Sequence, residues 1–72
     1  MKKADIKEVV SRLLNGQSIG RIFTNEELFQ IAEHIGADTS LAKRLHGRGF
    51  QAQELSDKIT KRINIMREYE EL

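Results

Sequence analysis

The sequence predicts an all-α protein, a small bundle of about four helices that ends in a long C-terminal helix. Three observations lead there. Apolar residues recur at helical spacing, as in Ile6, Val9, Val10 and Leu13, the i, i+3, i+4, i+7 pattern of one buried helix face. Proline is absent and 32% of the residues are charged, as suits exposed helix faces. Glycines at 16, 36, 47 and 49 punctuate the periodic stretches, where they end helices by accepting the left-handed conformation. With 72 residues, the chain forms one domain spanning 1–72. A domain of this size buries only about 60% of the surface its unfolded chain exposes, so its stability is marginal.

The first segment, "ADIKEVVSRLLNG", predicts an amphipathic helix stopped at Asn15-Gly16. "QSIGRIF" has no clear period and is expected to be a connecting loop, or a short strand, with Ile19, Ile22 and Phe23 tucked onto the core. Thr24 and Glu27 have capping-box spacing for a second helix, and Phe23 and Leu28 are placed to close a hydrophobic staple. Leu28, Ile31, Ala32 and Ile35 make its apolar face, and Gly36 ends it. Asp38, Thr39 and Ser40 are all good N-caps for a third helix of about two turns through Leu41, Ala42 and Leu45. "HGRG" is expected to stop it. The last helix, about 51–71, carries the stripe Leu55, Ile59, Ile63 and Met66. Its pairs Glu54–Lys58 and Asp57–Lys61 put the acid first, the better order.

Charge is unevenly spread although the net value is only +1. Residues 26–38 carry four acids and no base, whereas residues 39–53 carry Lys43, Arg44 and Arg48 with His46 and no acid. An acidic segment therefore precedes a basic one, an asymmetry able to orient the chain on a polyanion.

The two central segments fit a device for reading DNA. Ile31, Ala32 and Ile35 supply apolar and small positions on the first helix, Gly36 makes the corner, and Ala37 lies in the turn. Thr39 and Ser40 open the second helix and Leu45 anchors it. "IAEHIGADTSLAKRL" thus resembles the helix-turn-helix of the phage repressor/Cro superfamily, over about 20 of the 72 residues within a unit at 25–46. Ala42 departs from that pattern, which usually has Val or Ile there, and Asp38 lies near the expected path of a phosphate. The resemblance implies that Thr39, Ser40, Lys43 and Arg44 face base edges or phosphates of double-stranded DNA. Arg44 would pair with guanine bidentately, and His46 and Arg48 would meet the backbone. Gln51 and Gln53 are further candidates. "LHGRGF" also resembles the turn of a helix-hairpin-helix, with Arg48 where that motif has an apolar residue.

Other chemistries are excluded or unsupported by the residues present. With no cysteine there is neither a disulfide nor a thiolate metal site, and two histidines alone do not make a structural zinc site. No serine sits in a nucleophile elbow, and no carboxylate pair is singled out for acid–base work. We therefore expect no enzyme activity, no cofactor and no metal. No apolar run approaches the roughly 20 residues that span a bilayer, and "MKKADIKEVV" has no apolar signal core, so a cytoplasmic protein is expected. The expected function is that of a small transcriptional regulator, of phage or mobile-element type, binding DNA sequence-specifically. A homodimer is expected, because two copies reading a palindrome gain the specificity one short helix lacks. Ile65, Met66, Tyr69 and Leu72 are the candidate dimer or partner surface. The alternative is a small helical interaction protein that docks on and modulates or inhibits a larger host protein.

Overall fold

The computed structural model describes residues 1–17 and 20–69. Its elements are α1 (Lys3–Leu14), α2 (Asn25–Ile35), a single 3₁₀ turn (Ala42–Arg44) and α3 (Arg48–Glu68). The architecture is all-helical as expected, but with three α-helices and not about four. Among the described residues there is no strand.

α3 is the spine. Its 21 residues at about 1.5 Å each span roughly 31 Å, which sets the 34 Å long dimension of the molecule. α2 packs along it most extensively, and α1 lies against both. Leu55, Ile59 and Ile63 project from α3 into the core. They meet Leu28, Ile31, Ala32 and Ile35 from α2 and Ile6, Val9 and Val10 from α1. Leu55 and Ile31, at 0% and 1% exposure, form the centre. Met66 is half-buried against the same cluster.

Local chemistry fixes the helix ends. At the start of α2 the Thr24 hydroxyl accepts from the Glu27 amide at 3.1 Å, and the Glu27 carboxylate accepts from the Thr24 amide at 2.9 Å. This is the expected capping box. Phe23 is half-buried beside Leu28, with the Arg21 guanidinium 4.7 Å over its ring. At the other end Gly36 takes φ 74°. That left-handed turn lets the Ala37 amide reach back to the Ala32 carbonyl at 2.9 Å, closing the helix in the Schellman manner. The Arg62 guanidinium donates to the Ile35 carbonyl at 2.8 Å, setting a cation at the negative end of α2. α1 closes in the same way: the Gln17 amide reaches the Arg12 carbonyl at 2.9 Å.

Three sequence expectations are corrected here. Ile22 does not tuck in; it is 97% exposed, and Phe23 beside it is the side chain of this segment that packs, half-buried, against the core. Ile19 lies outside the described residues. The two-turn third helix is a 3₁₀ turn of three residues. Only one of its side chains, Ala42, is fully buried, while Leu41 is 46% exposed. One small anchor cannot repay helix nucleation, which fixes several residues for its first hydrogen bond, and at Leu45 the backbone turns extended. Lastly, the C-terminal helix begins at Arg48 and not near 51, so Gly49 lies inside it and does not act as a stop.

Candidate nucleic-acid interface

The corner between α2 and α3 carries most of the site residues named from the sequence. After Gly36 the Asp38 carboxylate accepts both the Ser40 amide at 3.0 Å and the Ser40 hydroxyl at 2.7 Å. These two bonds fold residues 38–40 into a tight turn. They hold the Asp38 carboxyl below its ordinary value, the Ser40 hydroxyl contributing most. Thr39 is buried and its carbonyl accepts from the Lys43 amide at 3.1 Å. Among the candidate contact residues Thr39 is the fully buried one, which takes its side chain away from the exposed surface on which a base-edge contact was expected.

The 3₁₀ turn then lifts Lys43 and Arg44 outward while Ala42 seals the core beneath them. Ser40, Lys43, Arg44, His46 and Arg48 are all exposed. Lys43 Nζ stands 4.0 Å from Glu33 Oε1 on α2, with both side chains about 60% exposed; such a pair contributes little and is screened by salt. No carboxylate pairs with Arg44 or Arg48 among the described residues. Gly47, at φ 95°, is the N-cap of α3 and supplies no side-chain cap. The positive end of the α3 dipole therefore opens at the same corner as the free cations.

A polar network holds this corner in place. Asn25, at the start of α2, donates through its side-chain amide to the Arg48 carbonyl at 3.0 Å and to Gln51 Oε1 at 3.1 Å. Gln51 Nε2 in turn donates to the Ala42 carbonyl at 3.0 Å. One side chain from each of α2 and α3 thus ties the 3₁₀ turn to both helices. Gln51, a candidate contact residue from the sequence, is engaged inside the fold. Gln53 donates to Asp57 at 3.0 Å on the outer face of α3.

Sequence reasoning did not find the network. Asn25 and Gln51 are 26 positions apart, and no local pattern links an amide after a helix cap to one in a later first turn. It also passed over Phe50, which is 74% exposed and is off the Leu55–Ile59–Ile63 stripe. That register was a readable signal.

The second predicted surface divides. Ile65 and Tyr69 are 43% and 68% exposed, Met66 belongs to the molecule's own core margin, and Leu72 lies outside the described residues. Among the described residues no group of three His, Asp or Glu side chains converges on a metal position, and no helix is long and apolar enough to cross a membrane.

Comparison of the chain with protein-family models, characterised proteins and solved structures finds no match.

Proposed function

We propose that the chain binds double-stranded DNA through the α2–α3 corner and acts as a small transcriptional regulator, with Ser40, Lys43, Arg44, His46 and Arg48 at the interface. The observation that carries this reading is the placement of two arginines at one corner, and not their lack of an acidic partner, which Lys2, Lys3, Lys7, Lys61 and Arg67 share among the described residues. Arg12, Arg21, Lys43 and Lys58 each face a carboxylate. Arg44 and Arg48 stand exposed at one corner with no acidic partner among the described residues. Two guanidiniums held near a helix N-terminus suit bidentate bonding to phosphate or to guanine. Because the third segment is a 3₁₀ turn, the elements offered to a groove are that turn and the first turn of α3, in place of a separate recognition helix.

Sequence-specific recognition by so short an element calls for two copies on a palindromic site, and the exposed Ile65 and Tyr69 at the far end of α3 are the surface we assign to that contact. The same two side chains favour a second reading, in which this end of α3 docks on a larger protein. Selection of bound sequences from a random duplex pool separates the two. The DNA reading expects an enriched site for which Arg44→Ala and Arg48→Ala each lose about 1–3 kcal/mol of affinity if they meet bases, with thermal melting unchanged. No enrichment, together with capture of a partner protein that Tyr69→Asp abolishes, would favour docking.

A further inference from the structure

Three phenylalanines occur in the chain, and the fold uses two of them. Phe23 and Phe29 pack against the core. Phe50 does not: it is 74% exposed. Its position on α3, five residues before Leu55, puts it about 140° round the helix from the core stripe at 100° per residue, so no rotamer returns it to the interior. An isolated exposed apolar side chain is ordinary; the surroundings of this one are not. It sits in the first turn of α3, two residues after Arg48 and four after His46, on the corner that also carries Arg44. The ring has a seat there. The ring edge lies beside the Gly47 backbone, where a Cβ would meet it at 3.4 Å, an ordinary contact distance; the φ of 95° is what favours glycine there. The Asn25 bond to the Arg48 carbonyl fixes the backbone that carries it.

We infer that Phe50 is a stacking platform for a nucleobase, flanked by cations that hold the adjoining phosphates. The inference rests on the reading of this corner as a nucleic-acid interface and adds to it what the corner grips: the flat face of a base and not only its edge or its phosphate. Aromatic stacking with a basic surround is how bases outside a helical stack are held. A base presents that face either in a single strand or where a duplex step opens around an apolar wedge.

Fluorescence anisotropy distinguishes these sources with three probes of one mixed sequence: the labelled single strand, its perfect duplex, and a duplex with one unpaired base. Stacking is worth about 5- to 150-fold in affinity per base. Phe50→Ala should weaken binding to the single strand and the bulged duplex by a factor in that range, with its melting curve unchanged. Loss on the perfect duplex as well would mean that Phe50 wedges open a paired step. The slope of log affinity against log salt should stay as in the parent chain, because no phosphate contact is removed, whereas Arg48→Ala should lower it by about 0.7 on the single strand. Phe50→Trp, the only tryptophan in the chain, should bind as well or better and be quenched on binding. If Phe50→Ala binds all three probes like the parent while Arg44→Ala and Arg48→Ala still weaken them, the stacking role is overturned and the interface stands. If no probe binds the parent chain at low salt, both fall.

Discussion

Replacing Gln51 with the apolar Leu removes the link between the 3₁₀ turn and both helices without touching a charge. Two bonds are lost, from Gln51 to the Ala42 carbonyl and from Asn25 to Gln51. Neither partner is orphaned. The Ala42 carbonyl still accepts the Leu45 amide at 3.2 Å, and Asn25 still reaches the Arg48 carbonyl at 3.0 Å. The loss should therefore stay near the net worth of two part-buried hydrogen bonds, about 1–2 kcal/mol, without the larger penalty of an unsatisfied buried group. A domain of 72 residues has about 4–11 kcal/mol in all, so this is a visible fraction, equivalent to a fall of roughly 5–15 °C in melting temperature. Far-UV circular dichroism during heating measures it. DNA affinity should fall as well, with the salt slope retained, because the cations remain but their frame is loosened. Unchanged melting and unchanged affinity in Gln51→Leu would refute the claim that this network positions the corner.

Two further outcomes follow from the caps. Thr24→Ala deletes the hydroxyl half of the capping box and should destabilise the chain by about 1 kcal/mol, read as a shift in urea midpoint at constant slope. The acid limb is set partly by Glu27 and Asp38. Both carboxyls titrate below their ordinary values in the fold, Glu27 chiefly through the Thr24 amide and then through Arg21, Asp38 through the Ser40 hydroxyl and amide. The unfolded chain thus takes up these protons first as pH falls. Their stabilisation is complete above the ordinary carboxylate range near pH 4 and is lost as pH drops through the depressed folded values. Urea midpoints across that range should fall for the parent chain and fall less for Glu27→Gln; an identical acid limb in the variant would show that Glu27 does not contribute to it.

Much of the fold is legible in the residues because local chemistry and global packing agree. Thr24, Glu27 and Gly36 bracket α2 by capping rules that act within a few residues, and the Leu55–Ile59–Ile63 stripe declares the buried face of α3. The third segment departs from its helical pattern for an energetic reason. Its cap residues and apolar spacing satisfy a helical pattern, but its one deeply buried side chain is an alanine, and the pattern does not weigh how much burial an anchor supplies. Thr39 is buried with it, since a turn and a helix aim the same residue in different directions. Of the interface, the cations could be read and their freedom could not, because whether Arg44 meets an acid depends on which helix passes nearby. The Asn25–Gln51 link joins distant positions through geometry alone.

Salt titration of binding to duplex DNA tests most directly whether the α2–α3 corner grips phosphates. With Lys43, Arg44 and Arg48 engaged, log affinity should fall with log salt at a slope of about −2.7, and the double substitution Arg44→Ala with Arg48→Ala should reduce it to about −0.9. A parent chain whose binding is absent or indifferent to salt, or a double variant with the parent's slope, would contradict the account.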